Sequence, residues 1–521
     1  MLDSHFTTGQ QLYLLFPIAG ALAAVWLHAK GRSRSAIELL TIVALLLRLF
    51  ATHLDPYLNE WDECFHALVA KNMLEHPFAP MLHWNEAMPV SHAWTESHIW
   101  LNKPPFFLWQ IALSLKVFGL HPWAVRLPSA LWLSLLVPVV YRMGRLLLDE
   151  RAAFIAALFT CFSYYLEELT AAAVCNDHND AVFIPLVACS WWTLLEYRNT
   201  RSWKWALLTG VFSACAVLTK WYVGLSVFVP WGVMIARDRF PRQELVRCLT
   251  AFAVVLVSAG SWMLYTAWRF PADAMAGPGL DLHHLTSNLN GDKGSWTYHF
   301  NVIGDLTPPF TWWLMLPAMA WLVWRLQRSD HRLLVVVLLV SIHLVFAVAR
   351  TKMPSYTLVL FPIYVLAMAN ALIGIVEHLI VPKLQRAILT LSAVAIAAVM
   401  LDLERLQYRH TLYDPPRTDQ CWREQQLGAM ASMDKLAALI PDPAHAVVFN
   451  IPAIHHIQFM FHTGIEAWDA PPAPEVVARL RTRGYTVFVL QDGAEATSFP
   501  AGITLIADTA VRYPDVGRPV Y

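Results

Sequence analysis

Charge is what this sequence has least of. Asp, Glu, Lys and Arg make up 15% of its 521 residues, whereas 57% are hydrophobic; a soluble domain carries about 25% charged residues. With a mean hydropathy of +0.44, the deficit excludes an ordinary soluble enzyme and points to a polytopic membrane protein. Net charge is zero, so there is no basic field to hold nucleic acid. Cysteine is sparse: the seven form no CxxC pair and no zinc-type spacing. Cys161, Cys189, Cys215 and Cys248 lie in apolar runs and read as small hydrophobes. Cys64, Cys175 and Cys421 fall in outer regions, where a bridge stays open but nothing argues for one. No Gly-rich phosphate loop occurs in the polar tail, which argues against nucleotide binding there. Aromatics are abundant, with Trp 23 and Phe 26, as in interfacial belts.

Apolar runs and basic links give a topology. A span needs about 20 apolar residues, and candidates fall at 11–28, 36–52, 127–147, 152–168, 180–196, 205–219, 221–236, 246–268, 307–325, 333–349, 354–376 and 386–402. The first is not expected to be a cleaved signal, because no small-residue cleavage site separates it from the second. The link "HAKGRSRS" holds Lys30, Arg32 and Arg34, and the positive-inside rule places it in the cytoplasm. Both termini and the stretch from Asp55 to Arg126 are then outside. "YRMGRLLLDER" is inside, so one crossing fits before it. The runs 64–76 and 105–119 are therefore expected to lie along the outer interface as amphipathic helices. Only "RTK", Arg350 to Lys352, breaks the pattern. Basic residues kept outside against the bias suggest an anion site; the plainer reading is snorkelling at the interface.

The polar groups of the outer loops carry the chemistry. Asp62 and Glu63 are adjacent at the membrane surface. A carboxylate there can act as general base towards a hydroxyl or amine or hold a divalent metal; the bland alternative is a pair of acids favoured by a helix N-terminus. Lys103, Lys352, Lys220 and Arg126 stand at outer span ends, at the depth of a lipid phosphate, which Lys binds as a point charge and Arg as a fork. Such cations can stabilise a departing phosphate. His283, His284 and His299 share one outer loop, where sugar hydrogen bonding or interfacial packing is expected over metal binding. His455, His456 and His462 lack ligand spacing. Trp and Tyr in the outer loops can stack on sugar rings, though the interface belt is the default. From 403 onward hydrophobicity falls. "HAVVFN" and "YTVFVLQD" read as strands around the helix "APEVVARLRTRG", a small outer α/β domain.

The segments "WDECFHALVAKNML", "NKPPFFLWQIALSLKVFGLHPWAVRLPSAL", "AVLTKWYVGL" and "ARTKMPSYTLVLFPIYVLA" resemble the polyprenyl-phosphate-sugar-dependent membrane glycosyltransferases. This superfamily includes the aminoarabinose transferase to lipid A and the protein O-mannosyltransferases. The likeness runs in order from about residue 36 to 376. It implies a GT-C fold, a catalytic acid in the first outer loop, a donor linked to a lipid phosphate (typically undecaprenyl phosphate in bacteria) and inversion at the sugar carbon. Asp62 takes the place of the loop acid, Lys103 that of the KPP lysine and Lys352 that of the TK-x-P lysine. Asp180, or else Asp177, falls where members keep an acid opening the next span. The chain departs from the aminoarabinose transferases at Asn102, where they carry Glu, and at Phe65, where they carry Arg. Both changes bear on the sugar and on the metal site.

The expected protein is a mainly α, polytopic GT-C glycosyltransferase of the bacterial inner membrane, with about twelve spans over 1–402, a catalytic loop at 53–126 and an outer α/β domain at 403–521. Its partners would be a polyprenyl-phosphate-sugar donor, membrane lipids and a glycolipid, cell-wall polymer or protein acceptor. The sequence points to no definite cofactor, and a divalent metal stays open. Asp62, with Glu63, would act on the acceptor. Lys103, Lys352, Arg350 and Lys220 would hold the phosphate, with Asp180, Asp177, His299 and Arg126 in a second tier. A flippase of lipid-linked sugars is the alternative, but transporters keep ionisable groups at the midplane and use inverted repeats, and the sequence shows neither. The third reading is a catalytically inactive subunit of an envelope assembly, against which Asp62, Lys103 and Lys352 speak.

Overall fold

A computed structural model describes residues 6–521 apart from 90, 93, 174–177, 277–285, 287–293, 304–311, 404–405, 407–421, 453, 492–499 and 508–521. Asp177, His283, His284, Cys175 and Cys421 lie outside the described residues. The chain forms two compact units. One comprises Met1–Leu54, Leu127–Thr266 and Leu280–Leu412, and the other Asp55–Arg126, Ala267–Gly279 and Tyr413–Tyr521. The division differs from a cut at 402/403, because the first loop groups with the C-terminal residues.

The first unit is helical. Each of the twelve apolar stretches carries helix. Among the described residues, seven helices are long and apolar enough to cross a membrane, from Thr8–Ala29 to Pro382–Leu401, and an eighth span results if Glu150–Cys161 and Tyr164–Thr170, bent by 46°, count as one. The others expected from hydropathy are helices that are shorter or more polar. One of these, Asp180–Thr200, is buried along almost its whole length. Its side chains are apolar nearly all round, as a helix surrounded by others must be, and it packs along Trp203–Lys220. The turn between Pro122–Leu147 and Glu150–Cys161 is capped by Asp149, whose side chain accepts from the Ala152 amide, the usual remedy for orphan N–H groups at a helix start.

Charges inside this unit are spent on each other. Arg48, an arginine within an apolar helix, is fully buried against Glu167 and donates to the Thr160 carbonyl at 3.0 Å. Arg198 sits between Asp238, Glu244 and Asp330 at 3.2, 3.2 and 2.7 Å. Where an ion leaves water its cost is offset only by a partner held in good geometry.

The second unit builds a four-stranded parallel sheet in the order β2-β1-β3-β4, from β1 (Ala446–Phe449), β2 (Glu466–Ala467), β3 (Thr486–Gln491) and β4 (Thr504–Ala507). "HAVVFN" and "YTVFVLQD" are thus neighbouring strands, with Val447 beside Val487 and Phe449 beside Val489. The intervening helix Pro474–Thr482 is followed by Gly484 at φ 86°, the left-handed conformation in which glycine costs least. Ala87 and Met88 of the first loop enter the core formed by Val447, Phe449, Val487, Val489 and Leu480.

Close helix contact in the first unit rests on small residues. A Cβ on Gly144 would lie 2.7 Å from Cα of Ala153 and 2.9 Å from a Leu366 methyl. Overpacking such a contact costs about 1–3 kcal/mol. Gly144→Leu is therefore expected to lower the melting temperature of the detergent-solubilised protein, and an unchanged transition would show that these helices need not approach so closely.

Candidate active site

The acid pair opens the helix Asp62–Asn72, whose first turn holds Asp62 and Glu63 and whose last holds Lys71. Both ends complement the helix dipole. The residue before it, Trp61, has φ 59° and ψ −119°, a strained conformation for a bulky side chain that persists only where the surroundings enforce it.

Those surroundings centre on Arg126. Its Nε donates to Glu63 Oε1 at 2.6 Å, Nη2 donates to Glu63 Oε2 at 3.0 Å and the Tyr57 carbonyl at 2.6 Å, and Nη1 donates to the Asp55 carbonyl at 2.8 Å. The Asn59 amide donates to Glu63 Oε2 at 2.5 Å. Neither side chain of the pair reaches solvent. Burial pushes the Glu63 carboxyl up, while the guanidinium and the Asn59 amide pull it back. The sequence grouped Glu63 with the catalytic acid and placed Arg126 in the second tier of substrate-binding residues. In the structure each satisfies the other, and together they clamp the chain from Asp55 into the helix.

Asp62 has a different environment. Its Oδ2 lies 3.2 Å from Lys103 Nζ. Lys103 keeps 17% side-chain exposure and stands 5.7 Å from the centre of the Trp94 ring. The KPP motif explains the placement. Pro105 begins the helix Pro105–Phe118 with Pro104 as its cap; proline at the first turn loses no needed hydrogen bond and presets φ. Lys103 therefore stands just outside a rigid helix start. An isolated antiparallel bridge joins Met81 to Ile99 in the segment before it, with Leu82 N donating to His98 O at 3.0 Å and Trp100 N to Pro80 O at 2.7 Å, and Asn72 at the end of the acid-bearing helix donates to the Met81 carbonyl at 2.9 Å.

Phe65 sits in an aromatic cluster, 6.3, 5.9 and 6.0 Å from the rings of Trp61, Trp94 and Trp100. Cys64 is a free, buried thiol donating to the Asn59 carbonyl, and burial pushes its pKa well up. The C-terminal residues brace this loop. Lys71 Nζ donates to the carbonyls of Met460 and Phe461 at 2.9 and 2.7 Å, capping the helix His455–Thr463, and Gln458 Nε2 donates to Leu58 O at 2.7 Å. Burial brings Lys71 down to about 8. His455 bonds Gln458 Oε1 through Nδ1 at 2.9 Å, and burial takes His462 down to about 4.

The remaining candidates belong to the helical unit. Lys220 Nζ lies 2.7 Å from both oxygens of Asp180. Asp180 opens one helix and Lys220 closes its antiparallel neighbour, so the pair locks two helix ends and neutralises two charges that the sequence had assigned separately. Lys352 donates to the carbonyls of Phe346 and Ala347 at 2.8 and 2.7 Å. It thereby caps Ser329–Val348, which lowers the number of its N–H groups available to an anion. Arg350 is exposed. His299 is buried among the rings of Tyr298, Phe346 and Tyr356, and burial with the nearby Lys352 ammonium brings it down to about 4. It is neutral at physiological pH. Among the described residues no group of three His, Cys, Asp or Glu is placed to hold a metal ion.

The sequence reading missed Trp94, Lys71 and Gln458 in the loop's surroundings and, in the helical unit, the Arg48–Glu167 pair. Arg48 carried a signal, because an ionisable side chain inside an apolar span requires a partner. The others carried none, since their contacts join segments distant in sequence.

Comparisons with known proteins agree with this fold. A family model described as dolichyl-phosphate-mannose-protein mannosyltransferase matches residues 102–262. The undecaprenyl phosphate-alpha-4-amino-4-deoxy-L-arabinose arabinosyl transferase 1 of Pseudomonas fluorescens strain Pf0-1 is 24% identical over 348 residues, covering 62% of this chain and 56% of that protein. The transferase 2 of Proteus mirabilis is 25% identical, covering 61% and 57%. The chain thus spans about half the length of the curated relatives it matches. ArnT from Cupriavidus metallidurans, crystallised with undecaprenyl phosphate, superposes with a TM-score of 0.64 at 17% identity, covering 86% of this chain and 88% of that one. The apo oligosaccharyltransferase of Archaeoglobus fulgidus gives 0.52 at 12% identity, covering 83% and 64%. The chain is an integral membrane protein that resembles polyprenyl-phosphate-sugar glycosyltransferases in sequence and fold.

Breaking the clamp and changing the acid have different expected costs. Glu63→Gln leaves Arg126 as a buried charge without its counter-ion, a change worth about 3–5 kcal/mol. Asp62 is buried as well, but its partner Lys103 keeps 17% side-chain exposure and can be hydrated once the carboxylate is gone, so Asp62→Asn is expected to cost less than Glu63→Gln. Thermal unfolding of both variants in one detergent checks this, and equal melting temperatures would show that Glu63 is not the structural member.

Proposed function

We propose that the protein transfers a sugar from a polyprenyl-phosphate-linked donor to a glycolipid, cell-envelope polymer or protein acceptor at the outer face of the inner membrane. The observation that carries this reading is the Asp62–Lys103 pair, at 3.2 Å, on a strained helix start. It sets a carboxylate beside an ammonium that keeps access to solvent.

The division of labour follows from what each group has left to offer. Asp62 takes the proton from the acceptor hydroxyl or amine as the acceptor atom bonds the anomeric carbon. The bond between that carbon and the phosphate oxygen breaks on the opposite side, with inversion, and the electron pair leaves with the lipid phosphate. Lys103 meets the charge that develops there, since a cation fixed in place before reaction needs no reorganisation as the bond breaks. Lys352 is assigned to the phosphate by the resemblance of the TK-x-P segment, and exposed Arg350 by being kept outside against the positive-inside bias. Lys220 has a weaker claim, because Asp180 occupies its ammonium. Glu63 and Arg126 act on the reaction only through the loop they hold.

The named relatives transfer aminoarabinose from undecaprenyl phosphate. Phe65 and Asn102 replace two charged residues of that group, so the donor sugar has to be found by assay. Polyprenyl phosphates carrying different radiolabelled sugars would be incubated with membranes containing the native chain or Asp62→Asn. Transfer to a lipid, polymer or protein acceptor from one donor is expected, falling about 10²- to 10⁴-fold in the variant, the usual contribution of a general base. Labelled lipid that changes leaflet in both samples without any transfer would sink the enzyme and leave a flippase.

A further inference from the structure

A cavity of about 380 Å³ opens in the helical unit, lined by none of the candidate site residues. Its depth is apolar, with Ile155, Leu158, Leu389 and Ala393 among its walls, and its mouth carries Arg151, Arg386, Gln385, His28 and Glu377. Two helix starts stand at that mouth, Glu150–Cys161 and Pro382–Leu401, so orphan amides and dipole ends add to the guanidinium groups. The carboxylates nearby are largely engaged. Glu377 Oε1 accepts from Arg151 at 2.8 Å, Glu150 accepts from Ser33 and Asp149 from the Ala152 amide. Arg386 is held in place by donating through Nη2 to the Ala29 carbonyl. The His28 ring stacks on Phe154 at 3.9 Å and forms a flat side to the entrance.

Depth settles which leaflet the mouth serves. Glu377 lies near the end of the helix Phe361–Leu379, and Lys352 precedes its start. Nineteen residues rise about 28 Å, which is a bilayer's hydrocarbon thickness. The mouth is therefore at the opposite membrane surface from Lys352. It is also beside the link rich in Lys30, Arg32 and Arg34, which the positive-inside rule puts in the cytoplasm.

We propose that this cavity binds one anionic glycerophospholipid from the leaflet opposite Lys352. The phosphate sits at Arg151 and Arg386, and an acyl chain runs down the wall of Ile155, Leu158, Leu389 and Ala393. Basic pockets between membrane helices on the cytoplasmic side recognise anionic headgroups in this way. Both guanidinium groups are exposed and the apolar wall is continuous with them in one cavity, so headgroup and tail are recognised together. The site is separate from the sugar-transfer reading and stands or falls without it.

Native mass spectrometry of the full-length protein in detergent tests it, using phosphatidylglycerol, phosphatidylcholine and inorganic phosphate as probes. Phosphatidylglycerol is expected to be retained over phosphatidylcholine by roughly 5- to 30-fold, the effect of two surface arginines, and inorganic phosphate should not displace it. Arg151→Ala with Arg386→Ala should remove the preference. Glu377→Gln should strengthen it roughly 2- to 5-fold by releasing Arg151 and removing a like charge, a gain that misfolding cannot produce. Equal retention of the two lipids overturns the proposal, and so does displacement by phosphate alone, which would mean a simple anion site. If the double variant does not fold, an unchanged or weaker preference in Glu377→Gln overturns it as well.

Discussion

The buried guanidinium of Arg126 is the constraint from which the candidate site follows. An ion with no access to water needs every donor matched, and here the matches are two backbone carbonyls and both oxygens of Glu63. That requirement wraps residues 55–59 around the arginine and fixes the first turn of the helix that follows. Successive helical residues point about 100° apart. With Glu63 held inward, Asp62 is aimed elsewhere, at Lys103. Two acids that look equivalent in the chain thus take different partners, Glu63 the buried Arg126 and Asp62 the half-buried Lys103.

Both units distribute charge by the same rule. Arg48 with Glu167, Lys220 with Asp180, and Arg198 among three carboxylates all use an ion to tie one helix to another. Lys352 and Lys71 do related work at helix C-termini, where unsatisfied carbonyls and the dipole attract a cation. Groups that keep access to solvent, half-buried Lys103 and exposed Arg350, Arg151 and Arg386, are then the ones with capacity for an outside ligand. The C-terminal sheet fits this arrangement as a brace, because its helix His455–Thr463 and its core receive Lys71, Ala87 and Met88 from the first loop.

Much of this is legible in the amino-acid sequence. Hydropathy locates the helices, since exclusion of water from a span leaves few polar residues to place. Pro105, Gly119 and Gly484 mark helix starts and ends through backbone geometry alone. Two strands and their helix in the tail show as alternation and length. The KPP lysine and the loop acid are also visible, through resemblance. The span count is not set by hydropathy alone. Asp180–Thr200 is enclosed by protein and tolerates charged ends, and Phe228–Arg237 and Met315–Arg325 are short, so apolar length does not separate spans from buried helices.

Local sequence determined the membrane class, the helices, the strand signals and the candidate Asp62 and Lys103, because each depends on residues near in the chain. Tertiary structure alone decided which charges are available. Glu63, Arg126, Asp180 and Lys220 read as four site residues; folding pairs them across 63 and 40 positions. The physical reason is that a charge's role depends on its partner and its access to water, and both are set by contacts between distant segments.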